Sequence, residues 1–205
     1  MWPSTTVPSK FDAVKDKDEQ IYWVGKPALI PFVATGIPIL IVGMLWGAFD
    51  YFGIIRNMPG HMPGFAIPFF ALHLFPFYGS VLYMAHLFLV RGNTFYAYTN
   101  KRLMMRSGVW GTDFNAIDYD KVSDIEVNVN PIENLFGVGT VRAFSGRVND
   151  KGGRIYDSFI AISNPYEVFK KIKEVSVNIK TDWNYPNALR PEVNPGYQTK
   201  YSPKQ

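Results

Sequence analysis

Residues 94–129 read TFYAYTNKRLMMRSGVWGTDFNAIDYDKVSDIEVNV. The stretch divides into short alternating runs: Thr94–Thr99, Arg102–Val109, Thr112–Tyr119 and Asp124–Val129. The last is the clearest, with Ile125, Val127 and Val129 alternating with Asp124, Glu126 and Asn128. A period of two means strands with one buried and one wet face. Trp110-Gly111 and Asn130-Pro131 break the runs where turns are needed. Further on, Gly139–Phe144 and Ile155–Ile162 flank Asn149-Asp150-Lys151-Gly152-Gly153, a hairpin signal. Asn164 and Pro165 then open a helix that places Val168, Phe169, Ile172, Val175 and Ile179 on one face. Six or seven short strands followed by one amphipathic helix predict a small antiparallel sandwich or barrel, plugged or covered by that helix.

Upstream the rhythm is different. Of the 21 Lys and Arg, four precede residue 28, one lies between 28 and 90, and 16 follow. The mean hydropathy of -0.04 hides this split. Ala28–Phe49 (ALIPFVATGIPILIVGMLWGAF) and Phe65–Val90 (FAIPFFALHLFPFYGSVLYMAHLFLV) are each long enough to cross a bilayer as a helix. Gly36, Gly43 and Gly47 form a flat strip where a second helix can approach closely. Trp46, Tyr51 and Phe52 at one end, and Tyr22 and Trp23 at the other, stand where an interfacial aromatic belt is expected. The loop between the spans carries only Arg56, whereas Lys10, Lys15, Lys17 and Lys26 precede the pair and Arg91, Lys101, Arg102 and Arg106 follow it. The basic residues therefore place both termini in the cytoplasm, as a two-pass protein of a prokaryotic inner membrane with an uncleaved first span. The expected division is a cytoplasmic leader at 1–27, a transmembrane hairpin at 28–90 with spans of 28–49 and 65–90, a cytoplasmic domain at 91–180, and a Pro/Tyr-rich extended tail at 181–205.

Several motifs together resemble a known family. They are Thr99-Asn100-Lys101-Arg102-Leu103, Ser107-Gly108, the Tyr119-x-x-Val122 and Ile125-x-Val127 pattern, and Leu135-Phe136-Gly137-Val138-Gly139-Thr140-Val141. The stretch around them resembles the bacterial pleckstrin-homology (PH)-like domain found behind paired membrane helices, and Asp18–Ala28 (DEQIYWVGKPA) is similar to the lead-in such proteins carry before the first span. The resemblance covers roughly residues 18–178. It implies an α+β membrane protein: a two-helix hairpin plus a seven-stranded, strongly bent antiparallel sheet capped by a C-terminal helix. It implies no activity.

Composition excludes much chemistry. There are no cysteines, so no disulfide, zinc-thiolate site, iron–sulfur cluster or thiol nucleophile can be built from this chain. The three histidines, His61, His73 and His86, all lie in the apolar middle, so the polar half cannot hold a Ser-His-Asp triad or a His-based metal site. Gly137-Val138-Gly139 lacks the Lys-Ser/Thr of a phosphate loop and reads as a strand-entry turn. Asp124 and Glu126 share the wet face of a strand, where solvated carboxylates are ordinary. No catalytic residue and no metal site is expected, and no nucleic-acid face, since membrane topology accounts for the basic pI.

Three groups remain as candidates. Lys101, Arg102 and Arg106 lie near the first strand turn, where a cation cluster would meet anionic lipid headgroups of the inner leaflet. His73 and His86 are imidazoles in a span, candidates for an intramembrane ligand or a helix contact. At about 100° and 1.5 Å per residue they point about 220° apart and lie about 20 Å apart, so they cannot share a metal; each would have to serve a separate haem or chlorophyll-type pigment. Trp183, Tyr185, Pro186, Tyr197 and Tyr201 give the tail the aromatic residues that anchor partner interfaces. No cofactor is otherwise expected. The functional expectation is a non-catalytic accessory or scaffold subunit of a larger membrane complex, bound to other membrane subunits through its spans, domain surface and tail. The alternatives are a lone lipid-headgroup-binding or homo-oligomerising module and a pigment- or haem-carrying subunit.

Overall fold

Proline sets where the apolar helices begin. In the structure, a computed structural model that describes residues 10–58, 60 and 64–184, the middle of the chain forms helices α1 (Leu29–Ala34), α2 (Ile37–Phe49), α3 (Ala66–His73) and α4 (Phe75–Asn93). Pro31, Pro38, Pro68 and Pro76 each fall in the first turn of one of these helices, where the missing N–H has no intrahelical partner to lose. The expected spans are therefore not unbroken rods. The first apolar run is interrupted at Thr35-Gly36 and continues beyond Phe49 through a π-helical turn, Asp50–Ile54, and a 3-10 turn, Ile55–Asn57. The resulting helix, Ile37–Asn57, is long and apolar enough to cross a membrane. The second run is bent by 45° between α3 and α4. Pro76 cannot donate to the Leu72 carbonyl, and the chain yields at Leu74.

α2 packs on α4 through the glycine strip. A Cβ on Gly43 would stand 2.1 Å from Ser80 Oγ and 2.6 Å from the Pro76 carbonyl oxygen; one on Gly47 would stand 2.8 Å from the Phe77 ring. Most other large side chains of this unit, among them Leu45, Leu72, Leu82 and Phe88, are exposed.

The rest of the chain, 10–28 with 94–184, forms a separate unit. Here the expected division needs revision. Residues 21–25, assigned to the leader, are strand β1 (Ile21–Gly25). It pairs antiparallel with β2 (Phe95–Thr99), so the apolar helices are an insertion between the first two strands of a sheet. β3 (Arg102–Ser107) and β4 (Asp113–Asp118) complete a sheet of order β1-β2-β3-β4. The second sheet has order β5-β6-β7, with β5 at Asp124–Asn128, β6 at Val138–Val148 and β7 at Arg154–Ser163. All pairings are antiparallel. A short helix, α5 (Pro131–Leu135), connects β5 to β6. It is opened by a capping box in which the Asn130 side chain accepts from the Glu133 N–H and Glu133 accepts from the Asn130 N–H.

Between the sheets lies a core of Tyr96, Tyr98, Leu103, Ile117, Tyr119, Val141, Phe159 and Ile162. Helix α6 (Pro165–Asn184) contributes Val168 and Ile172, with Phe169, Val175 and Ile179 packed around them. Trp23 does not belong to an interfacial belt. Its ring stacks on Tyr98 at 5.9 Å and on Phe159 at 6.0 Å, joining β1, β2 and β7. Phe11 is fully buried against Ala97 and Met104.

Candidate functional site

The β2–β3 turn, where the sequence places its headgroup cations, is occupied by the chain's own acidic segment. Glu19 has a fully buried side chain and takes the Arg102 guanidinium in bidentate fashion, with Nε donating to Oε1 at 3.0 Å and Nη2 to Oε2 at 2.8 Å. Oε1 also accepts the Thr99 hydroxyl at 2.8 Å, and Oε2 accepts the Asp16 N–H at 2.9 Å. The Thr99 hydroxyl oxygen in turn accepts the N–H groups of Lys101 and Arg102. Burial by itself would raise the Glu19 carboxyl. The hydrogen bonds from Arg102, Asp16 and Thr99 and the Arg102 charge outweigh it and hold the group below its ordinary value. Lys101 Nζ reaches Asp18 at 2.9 Å and Asp16 at 3.1 Å, and these contacts raise its pKa. Gln20 and Asn100 exchange hydrogen bonds beside this network.

Two of the three headgroup candidates are thus neutralised by residues 16–19. Charge that is bidentate, hydrogen-bonded and partly dry serves the fold before it serves a ligand. The third, Arg106, lies four residues further along β3, toward the other end of the sheet. Its guanidinium is 5.9 Å from the Phe95 ring and 5.9 Å from the Phe114 ring, and it donates to the Thr112 hydroxyl at 3.5 Å. Arg106 Nε is buried without a hydrogen-bond partner among the described residues.

The intramembrane candidates also separate. His86 is an exposed residue of α4. His73, the last residue of α3, holds its Nε2 3.2 Å from Oδ1 of Asp50. Asp50 begins the π-helical turn and is completely buried. The approach is off-line, and neither Asp50 oxygen accepts a well-aligned hydrogen bond among the described residues. The His73 ring stacks on Phe69 at 5.0 Å and lies 5.2 Å from Trp46, while Trp46 Nε1 donates to the His73 carbonyl at 3.0 Å. The nitrogen that a haem or pigment metal would most readily use is turned to a carboxylate. Of the tail candidates, Trp183 lies in the backbone of α6 and its side chain is outside the described residues, as are Tyr185, Pro186, Tyr197 and Tyr201. His61 is outside them too. Among the described residues, no three His, Asp or Glu side chains gather as a metal site.

Residues 27–176 match the family model for the bacterial PH domain, which is more than half of the chain. The chain belongs to the bacterial PH domain family. The match to the PH domain begins at Pro27, just after β1, so the strand that closes the first sheet lies ahead of the matched region. The chain is also similar to a crystal structure of a DUF1696 family protein with a pleckstrin-homology domain from Shewanella loihica PV-4. The two are 13% identical, and the match covers 40% of this chain and 71% of that one with a TM-score of 0.30, which is too low to carry an argument about the PH domain here. No curated protein matches the chain.

The buried acid Glu19 and its pairing with Arg102 have no signature in the sequence. The two lie 83 positions apart, and only the pairing of β1 with β2 brings them together. Asp50 has a signal that is easy to read once noticed. It is the one carboxylate between Glu19 and Asp113, and a lone acid in an apolar stretch calls for a partner.

Proposed function

We propose that this chain is a non-catalytic scaffold subunit of a membrane complex, anchored by a two-pass helical hairpin with its PH domain and both termini in the cytoplasm. The observation that supports this most is the surface of the 29–93 unit. Its helices bury little against one another and leave Val42, Leu45, Phe49, Leu72, Leu82 and Phe88 exposed, an apolar surface that water does not tolerate but lipid or a partner helix does. α2 with its π extension supplies one crossing and the bent α3–α4 pair the other. Arg56, in the last turn of the first crossing, is the only basic residue between 28 and 90, against four before and 16 after, and this asymmetry supports both termini on the cytoplasmic side. The PH domain supplies a lipid- or protein-facing platform. With Lys101 and Arg102 taken by Glu19, Asp16 and Asp18, the β2–β3 turn does not favour recognition of a particular headgroup.

The test is gentle extraction of the tagged native protein in mild detergent, followed by mass and composition of what emerges. A stoichiometric assembly with foreign subunits is expected. A monomer or a pure homo-oligomer would contradict the scaffold role. Removal of 181–205 is expected to weaken that assembly, and an unchanged assembly would exclude the tail from it.

A further inference from the structure

Asp50 is a carboxylate in a dry place. Its side chain is fully buried in the apolar unit, neither oxygen accepts a well-aligned hydrogen bond among the described residues, and His73 Nε2 stands 3.2 Å from Oδ1. A buried carboxylate without donors is costly to keep. The pair is poorly suited to a metal. Among the described residues no third His, Asp or Glu side chain joins it, and two ligands fall short of the four that a zinc ion takes. Two facing atoms at this separation can hold a proton.

The surrounding elements offer no competing charge. α1 and α2 contain no titratable side chain. Tyr51 and Arg56 follow Asp50 on the same helix and are exposed, as are Tyr83 and His86 on α4. Tyr78 donates its hydroxyl to the Ala71 carbonyl at 2.9 Å, and Arg91 lies in the last turn of α4. Among the described residues none of these forms an ion pair with Asp50.

The pair also joins the two irregular points of the unit. Asp50 opens the π-helical turn, a deviation that often marks a functional position. His73 ends α3 at the 45° bend. There the N–H groups of Phe77 and Tyr78 both turn to the Leu74 carbonyl. The His73 carbonyl thereby loses its intrahelical donor, and the Trp46 indole N–H replaces it at 3.0 Å. The imidazole stacks on Phe69 and lies beside Trp46, and aromatic faces attract a cation. The end of α3 is thus held to α2 and its π extension by backbone and side chain together. The His73 side chain is 30% exposed and that of Asp50 0%, so a proton enters at the imidazole.

We propose that Asp50 and His73 form a proton-binding site that sets the bend between α3 and α4. With the proton bound, imidazolium faces carboxylate, the pair carries no net charge, and α3 is latched to the π-helical turn. Release passes the proton from the imidazole to water. It leaves one net negative charge among apolar side chains, so the latch weakens and the bend changes. The site requires only the apolar unit, and it goes beyond the scaffold role without depending on it.

The natural absence of cysteine allows pairs of nitroxide labels in the full-length protein, held in phosphatidylcholine nanodiscs. Ile67→Cys with Leu82→Cys spans the bend, and Leu45→Cys with Leu82→Cys spans the glycine strip; all three positions are exposed. Distances are measured by double electron–electron resonance at about pH 5 and about pH 8, which bracket the charge change of an imidazole. The 67–82 distance is expected to change by about 3 Å, the displacement at the end of a helix as short as α3 turned by about 15°. The 45–82 distance is expected to stay the same. Asp50→Asn and His73→Gln are each expected to abolish the pH response, and His86→Gln to leave it intact. The double variant, with two amides in place of the pair, is expected to hold one 67–82 distance at both pH values. An unchanged 67–82 distance in the otherwise natural chain would overturn the proposal. So would a response that survives Asp50→Asn or the double variant, or one that His86→Gln removes. Asp50→Asn removes the buried charge rather than stranding it, and the 45–82 distance reports the packing of α2 on α4 in every variant.

Discussion

At the scale of single residues, Glu19 and Arg102 do the most with the least. Glu19 is buried with both oxygens filled, and Arg102 supplies two of the four donors. Arg102→Ala removes them and leaves a carboxylate in a dry place. The expected loss is about 3 kcal/mol, toward the lower end for a broken buried pair because the outer edge of Arg102 still meets water. For a chain of this size that is a fall of about 6–12 °C in Tm in detergent. Arg102→Lys is expected to recover only part of it, because an ammonium cannot fill both oxygens in one plane. A variant with an unchanged Tm would deny the network its structural role. The pairing also fixes a pH dependence. Because the Glu19 carboxyl lies below its ordinary value of 4.5 in the folded protein, the unfolded chain binds more protons on acidification. The contribution is complete above about pH 4.5 and is lost as pH falls through the folded value. Tm measured from neutral pH downward is expected to hold and then drop in that window, and Glu19→Gln is expected to flatten part of the drop.

Asp50 and His73 form the corresponding pair in the apolar unit, and there the balance differs. The carboxylate is buried with one off-line neighbour. His73→Ala is expected to destabilise the hairpin, and Asp50→Asn in the same chain to restore part of the loss. A coupling of about 1–2 kcal/mol in the double-mutant cycle is the expected scale for residues in contact. Additive effects would show that the two do not act on each other.

At the scale of elements, the alternating runs between 94 and 163 and the stripe on α6 are legible because each is a local pattern of adequate length. Strand β1 is not. Five residues, IYWVG, stand next to an apolar stretch and read as its aromatic border, and the partner strand is some seventy residues away. Its side chains show what that reading misses: Trp23 stacks between the sheets and Phe11 fills a pocket on the other face of β2 and β3. Removal of residues 10–25 is therefore expected to leave the PH domain unfolded, and Trp23→Ala alone to cost about 3 kcal/mol. Limited proteolysis and near-UV circular dichroism read both. A truncated chain that keeps protease resistance would make β1 dispensable. The glycine strip, by contrast, is readable from spacing alone, and α4 packs against it. Gly43→Leu is expected to force α2 and α4 apart at a cost of about 2 kcal/mol, since the obstacle includes the Pro76 backbone, which cannot swing away. The prolines are visible in the sequence too, but their effect depends on context. They punctuate the helices here: the first apolar helix starts at Ile37 and runs past Asp50 to Asn57, and the second apolar run bends at Leu74.

At the scale of the molecule, the apolar hairpin is an insertion in the first turn of a PH-domain sheet. Both of its ends return to neighbouring strands, so the domain is tied to the hairpin at two points on one sheet end. The scaffold role proposed above adds a membrane to this connectivity. The measurement that tests it most directly uses single cysteines in the cysteine-free chain, one in the inter-helix loop, Gly60→Cys, and one in the domain, Lys151→Cys. Each is exposed to a membrane-impermeant maleimide on intact cells and again after permeabilisation. The account predicts that position 60 labels on intact cells and position 151 labels only after permeabilisation. Labelling of both positions from the same side would contradict the two-pass anchor, and the rest of the functional reading would go with it.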